Sequence, residues 1–201
     1  MMLEFVLLCA LFAVIELDNV QAFQTMLARP LTAGFLAGVL SGDQAAGIQL
    51  GLWTEFLFLD RIPMGGVIPP NGLIAAVSAT MMVRYWQLGR PEALIAGVCM
   101  GILFPRLDTA LRNRRNIWCA EIIRTMEGGT GNIGHWIVRS LAAEAFAAFV
   151  FLVVVTFIAG KTVPVIYNAV PEWVRYGVKF AYFAVPWIGL ASFTAKFYPK
   201  K

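Results

Sequence analysis

The sequence predicts an all-α integral membrane protein built from roughly six to seven apolar helical segments, including short broken or re-entrant helices. Hydrophobic residues make up 59% of the 201 residues and charged residues only 14%, whereas soluble domains carry about 25% charged residues. The mean hydropathy is +0.72. Glycines, prolines and small groups of charged residues separate the apolar runs. Residues 1–201 are therefore expected to form a single membrane-embedded domain.

The first apolar run, residues 3–17, predicts a helix that is short for a hydrocarbon core of about 30 Å. It ends in two carboxylates, Glu16 and Asp18. The next residues, 20–28, are mixed in character and include Gln24. Two interpretations of this segment stay open: an interfacial connector, or a segment in which a glutamine amide reaches a polar ligand.

Two short helices are expected next, over residues 30–41 and 44–59. Pro30 suits a first helical turn. Asp43 stands directly before the second helix, where a side-chain oxygen caps free backbone N–H groups. A capping residue can also form one wall of a ligand site, so Asp43 is kept as a candidate binding residue. Glycines spaced by four residues predict close packing of these helices: Gly34, Gly38 and Gly42, and then Gly47 and Gly51.

Glu55 lies deep in the second of these apolar runs, and carboxylates at membrane depth indicate a functional site. A carboxylate accepts hydrogen bonds from hydroxyl groups, which suits a sugar. The alternative is a hydrogen bond or ion pair between helices. Trp53, two residues earlier, could stack on a sugar or anchor the helix at the interface.

The backbone is broken twice after Glu55. The breaks are Gly65-Gly66 and Pro69-Pro70-Asn71-Gly72, which follow a charge pair at Asp60-Arg61. Breaks at membrane depth are tolerated where the backbone packs on protein or lines a cavity, as in the discontinuous helices of transporters. Asn71 offers both a donor and an acceptor, although a simple turn is the other interpretation. Residues 29–72 are therefore the predicted core of a substrate site.

The second half of the chain is read as helices around one polar stretch. Residues 106–139 are arginine-rich and predict a cytoplasmic amphipathic connector. The remaining expected elements are apolar helices at 73–86, 93–105 and 141–160, an amphipathic helix near 107–126, a loop at 161–172, and a final helix at 173–196 kinked near Pro186.

Several function classes lack support in the sequence. The net charge of +4 comes from basic residues that flank apolar segments, so nucleic-acid binding is not expected. The three cysteines show no spacing typical of metal ligands, and neither a metal nor another cofactor is expected. His135, the only histidine, has no nucleophile or carboxylate partner nearby in sequence. No nucleophile–base pair is evident, which argues against an enzyme.

Residues 29–72 resemble the membrane subunit IIC of the mannose/fructose/sorbose-type bacterial sugar phosphotransferase system. The order and spacing of the following residues carry the resemblance: Arg29-Pro30, Gly38, Gly42-Asp43, Gly47, Gly51, Glu55, Gly65 and Pro69-Pro70-Asn71. The basic middle region and the turn at 168–172 are also similar to this family.

The resemblance implies a multi-pass protein of the bacterial inner membrane that binds a hexose or amino sugar within the bilayer. It implies that the chain is a permease subunit, which pairs with a second membrane subunit, IID, in a trimer of IIC–IID pairs. The soluble IIB subunit, supplied with phosphate by IIA, phosphorylates the sugar. By motif position, the implied sugar contacts are Glu55 first, then Asp43 and Asn71, and finally Gln24.

The chain departs from the family pattern in two respects. Asn71 stands where aspartate is common, and the family usually continues beyond the region that matches 173–196. We therefore expect a C-terminally shortened sugar-translocating subunit. The alternative is a shortened, non-transporting relative that acts as an assembly or regulatory membrane partner.

Overall fold

The computed structural model describes residues 2–19, 22, 24–59, 68–127 and 133–198, and within these ranges it contains helices and no strand. The all-α membrane fold predicted from the sequence is confirmed. The expectations for Asp60-Arg61, Gly65-Gly66 and the 128–132 turn lie outside the described residues. The described residues form seven α-helices: α1 (Met2–Ile15), α2 (Pro30–Ser41), α3 (Gln44–Phe58), α4 (Gly72–Trp86), α5 (Arg90–Glu127), α6 (Ile133–Ala169) and α7 (Glu172–Phe197). A 3-10 helix, Glu16–Asp18, follows α1 directly.

Helix α4 is the centre of the fold. Every residue from Leu73 to Met82 is buried, and α4 packs on α2, α3, α5 and α6. A helix that is apolar all round must be enclosed by others. Both buried hydroxyl groups of α4 have hydrogen-bond partners. Thr80 donates to the carbonyl oxygen of Ala76 at 2.8 Å, and the Ser78 hydroxyl accepts from Thr156 of α6 at 3.1 Å.

Helices α2 and α3 form a tight hairpin because their facing residues are glycines. A Cβ atom on Gly34 would lie 2.7 Å from the carbonyl oxygen of Gly47, which is closer than real Cβ contacts come. Gly42 ends α2 with φ = +85°, a left-handed conformation that glycine adopts without strain. At 12 residues, α2 is about 18 Å long, too short to cross a bilayer core. The two short helices expected at this place are confirmed.

Two expectations about the second half of the chain are wrong. The apolar segment 93–105 and the amphipathic helix near 107–126 are one continuous helix, α5, with Pro105 inside it. Helix α6 likewise runs through Pro164 to Ala169, so the loop expected at 161–172 is reduced to the turn between α6 and α7. A proline removes one helical hydrogen bond but does not end a helix whose neighbours satisfy the freed groups.

Three of the described helices are long and apolar enough to cross a membrane, judged by length and composition: Arg90–Arg124, Ile133–Ala169 and Glu172–Ala195. Helices α5 and α6, of 38 and 37 residues, exceed the roughly 20 residues that a span needs. Glu144 lies within α6 and is buried.

Candidate functional site

The described part of the chain forms an open cavity of about 740 Å³, within the range of about 300–1,000 Å³ that small-molecule sites occupy. It is lined by the 3-10 helix and the connection after it, the start of α2, the end of α3, the segment 68–72, the middle of α5 and Glu144 of α6. Three of the four predicted site residues line this cavity, namely Glu55, Asn71 and Gln24.

Glu55 links α3 to the start of α2. Its Oε1 accepts a hydrogen bond from Nη1 of Arg29 at 3.2 Å, and its Oε2 accepts one from the backbone N–H of Leu31 at 3.3 Å. The Glu55 side chain is 21% exposed and that of Arg29 is 60% exposed. The ion pair considered from the sequence is therefore present, and it lies at the edge of the cavity.

Asn71 is held at three points. Its Oδ1 caps α4 by accepting from the backbone N–H of Ile74 at 2.9 Å, and its Nδ2 donates to Oε1 of Glu16 at 2.5 Å. Its backbone N–H donates to the carbonyl oxygen of Gly101 at 2.8 Å. These contacts place the break at Pro69-Pro70 against α5, so the broken backbone lines a cavity as expected.

Of the two remaining predicted site residues, Gln24 lines the cavity and Asp43 does not. Gln24 lies in the connection before α2 with φ = +53°, and it lines the cavity. Asp43 is not among the lining residues. Its Oδ1 accepts from the backbone N–H of Ala46 at 3.0 Å, so Asp43 caps α3 as the capping interpretation required.

Sequence reasoning missed Glu16. This residue ends the first apolar run, is only 7% exposed and lines the cavity. Its Oε1 accepts hydrogen bonds from the side-chain amides of Asn71 and, at 3.3 Å, of Asn19. A carboxylate at the end of an apolar run was visible in the sequence, but its proximity to Asn71, 55 positions away, was not.

Ion pairs around two buried carboxylates form another part of the cavity wall. Arg112 contacts Asp108 through two hydrogen bonds, both of 3.0 Å. Arg115 lies between Asp108, at 3.5 Å, and Glu144, at 3.2 Å. Asp108 and Glu144 are both buried, and burial of a carboxylate is tolerated only with such compensation.

Asp18 shapes the connection between α1 and α2. Its Oδ1 accepts from the backbone N–H of Thr25 at 2.6 Å and from the Thr25 hydroxyl at 2.8 Å, and its Oδ2 accepts from the backbone N–H of Ala28 at 3.3 Å. The backbone hydrogen bond from Thr25 is the main cause that holds the pKa of Asp18 below its usual value. The carboxylate thereby fixes the loop that carries Gln24.

The cavity offers carboxylates, three side-chain amides and arginine donors against a wall that includes Phe58, Phe104 and four prolines. Among the described residues, no group of three His, Cys, Asp or Glu side chains is arranged to hold a metal ion. Convergent polar groups on an apolar wall suit an uncharged ligand with several hydroxyl groups, because each hydroxyl both donates and accepts.

The chain matches a known protein family over almost its whole length. A family model described as "PTS system sorbose-specific iic component" matches residues 2–201. The chain is 25% identical over 166 residues to the N-acetylgalactosamine permease IIC component 1 of Escherichia coli K12, covering 81% of this chain and 61% of that protein. It is 26% identical over 162 residues to the mannose-specific EIIC component of the same strain, covering 76% and 58%. The chain thus spans about 60% of the length of these curated relatives.

Two solved structures share the fold. One, titled "Structure of membrane protein", has a TM-score of 0.75 and 23% identity, covering 97% of this chain and 80% of that chain. The other contains the mannose transporter ManYZ in complex with microcin E492, with a TM-score of 0.57 and 23% identity, covering 99% and 81%. These structures establish the fold of the chain.

Proposed function

Because the chain belongs to the family of PTS system sorbose-specific IIC components, we propose that it is the sugar-translocating membrane subunit of a phosphoenolpyruvate-dependent sugar phosphotransferase system. The observation that carries the proposal is the cavity of about 740 Å³ at the broken segment 68–72. Polar side chains line this cavity, and it lies where the family-like motif runs from Arg29 to Gly72.

The proposed ligand is a hexose or an amino sugar, bound by hydrogen bonds from its hydroxyl groups. Glu55 is the first proposed contact, since its oxygens are partly exposed at the cavity edge. Gln24 adds an amide. Asn71 contributes through the amide N–H that remains after its bond to Glu16. Asp43 caps α3 outside the cavity, so we assign it a structural role.

The chain itself is proposed to bind and move the sugar without catalysing phosphoryl transfer. The soluble IIB subunit would phosphorylate the sugar, with phosphate received from IIA. A IID membrane subunit is the proposed partner in the bilayer, in a trimer of IIC–IID pairs. The relatives are named as a permease component and a mannose-specific component, which supports this assignment and would place the chain in a bacterial inner membrane.

The test is phosphoenolpyruvate-dependent sugar uptake by membrane vesicles that contain this chain, a IID subunit and the soluble IIA and IIB proteins. Mannose, N-acetylgalactosamine and sorbose are the first sugars to test, together with unacetylated amino sugars. Accumulation of phosphorylated sugar above that of vesicles without the chain is expected. Omitting phosphoenolpyruvate should abolish it.

The alternative function, a non-transporting assembly or regulatory partner, predicts a different result. The chain would co-purify with IID or IIB, but no sugar on the panel would bind to the complex or be taken up. Assembly without binding or uptake would therefore replace the transport proposal with this alternative.

A further inference from the structure

We propose that Glu16 is a second sugar-binding carboxylate, which receives a ligand hydroxyl on its Oε2 atom while Glu55 receives another elsewhere in the cavity. This inference rests on the proposed sugar-binding function. Neither the family motif nor the sequence patterns assigned a role to Glu16, which lies before the matching stretch that begins at Arg29.

The first observation is the unequal use of the two carboxylate oxygens of Glu16. Oε1 accepts from the side-chain amides of Asn71, at 2.5 Å, and Asn19, at 3.3 Å. Oε2 is shielded from solvent and accepts no hydrogen bond from any described residue. Because a buried polar atom without a partner is costly, an incoming hydroxyl group would gain a bond that the protein itself leaves open.

The second observation comes from the other carboxylates of the cavity wall. Five carboxylates line the cavity, and Glu16 differs from the other four in its partners. Donors reach both oxygens of three of them: Thr25 and Ala28 for Asp18, Arg29 and Leu31 for Glu55, and Arg112 for Asp108. The fourth, Glu144, pairs with the cation of Arg115. Among the carboxylates of the described wall, Glu16 therefore retains the most capacity to accept a ligand donor.

The third observation is the rigidity of the Glu16 carboxylate. Asn71, which binds Oε1, is itself fixed by its cap to Ile74 and by the bond from its backbone N–H to Gly101. The plane of the carboxylate is therefore set before any ligand arrives. A pre-positioned acceptor needs little further ordering on binding.

The experiment measures equilibrium binding of radiolabelled mannose, N-acetylgalactosamine and sorbose to membranes that contain the full chain with its IID partner. Glu16→Gln keeps the size of the side chain and an acceptor for Asn71, but its single oxygen cannot serve both Asn71 and a ligand hydroxyl from the position of Oε2. The Kd for the sugar that binds to the wild type should rise about tenfold. Glu92→Gln is the matched control, because Glu92 is a half-buried carboxylate in α5 that does not line the cavity, and its Kd should not change.

Glu16→Asp is made in parallel, in case Glu16→Gln does not insert. It keeps the carboxyl group but withdraws the oxygens by one methylene group, and it should also weaken binding. A wild-type Kd in either inserted variant would overturn the assignment of Glu16 while leaving the proposed function intact. If no sugar binds to the assembled wild type, the proposed function and the Glu16 assignment both fall.

Discussion

The carbonyl oxygen of Gly101 in α5 accepts a hydrogen bond from the backbone N–H of Asn71, with an N–O distance of 2.8 Å. Within a regular helix this oxygen would accept from the residue four positions later, which is Pro105. Proline has no N–H, so the Gly101 oxygen is available to the broken segment before α4. Gly101 also lets that segment approach, because a Cβ atom here would lie 2.6 Å from the carbonyl oxygen of Asn71. Gly101 and Pro105 of α5 together allow the backbone of segment 68–71 to pack against this helix.

Replacing Gly101 by alanine should separate the 68–71 segment from α5. The added methyl group would also lie 2.9 Å from the Cβ of Ala75, so both neighbours would have to move. Overpacking of this kind costs about 1–3 kcal/mol. A lower midpoint of thermal unfolding in detergent and weaker sugar binding are expected for Gly101→Ala.

The control for that variant is Gly177→Ala in α7. A Cβ atom on Gly177 meets nothing within 4 Å, and alanine is favoured over glycine within helices by about 0.5–1 kcal/mol. Its unfolding midpoint should stay the same or rise slightly. Equal effects of the two substitutions would contradict the docking role of Gly101.

The Glu55→Gln variant tests the first proposed sugar contact. It removes the charge that pairs with Arg29 but keeps an oxygen for the backbone N–H of Leu31. The loss of a charged acceptor should raise the sugar Kd about tenfold. The chain should still insert and assemble, since an ion pair whose arginine is solvent-exposed contributes only about 0–1 kcal/mol. Glu172→Gln, which changes an exposed carboxylate at the start of α7, serves as the control in the same binding assay, and unchanged affinity in Glu55→Gln would remove Glu55 from the site.

Arg115→Met should destabilise the contact between α5 and α6. Arg115 lies between two buried carboxylates, Asp108 and Glu144, and removing one partner of a buried ion pair costs about 3–5 kcal/mol. Arg114→Met is the matched control, because Arg114 is the exposed neighbouring arginine and its loss should change stability by less than about 0.5 kcal/mol. Thermal unfolding in detergent measures both. Similar midpoints in the two variants would show that the network does not stabilise the helix pair.

Variants of Asp43 separate its capping role from a role in ligand binding. Asp43→Ala removes the acceptor for the backbone N–H of Ala46 and should lower stability by about 1 kcal/mol. Asparagine caps as well as aspartate, so Asp43→Asn should keep the wild-type stability. Sugar affinity should also be unchanged in Asp43→Asn. Weakened binding in this stable variant would return Asp43 to the list of sugar contacts.

The short helices could be located from the sequence because their signals are local. Pro30, Gly42 and Asp43 mark where α2 begins, where it ends and where α3 is capped, and the observed helices match these positions. The continuity of α5 could not be predicted in the same way. Pro105 is a breaking signal by itself, and the compensating contact comes from Asn71, more than thirty positions earlier.

Candidate residues of the cavity were predictable only in part. Glu55 was identified because a carboxylate within an apolar run has few structural reasons to be there, and Asn71 was identified because it follows a double proline. Glu16 was not identified, since a carboxylate at the end of an apolar run is also an ordinary boundary signal. The alternatives for Asp43 were both consistent with the sequence, and only its contact with Ala46 favours the cap.

Membrane character, the all-α fold class and family membership follow from the sequence alone. Composition, hydropathy and the spacing of glycines, prolines and carboxylates can all be determined without knowing which helices pack together. The tertiary structure decides which carboxylates share one cavity and which of their oxygens remain without a partner. Glu16, Asn71 and Gly101 meet only after α1, α4 and α5 have packed. Hydrogen bonds between residues this far apart in the chain depend on the packing of whole helices, which no local pattern specifies.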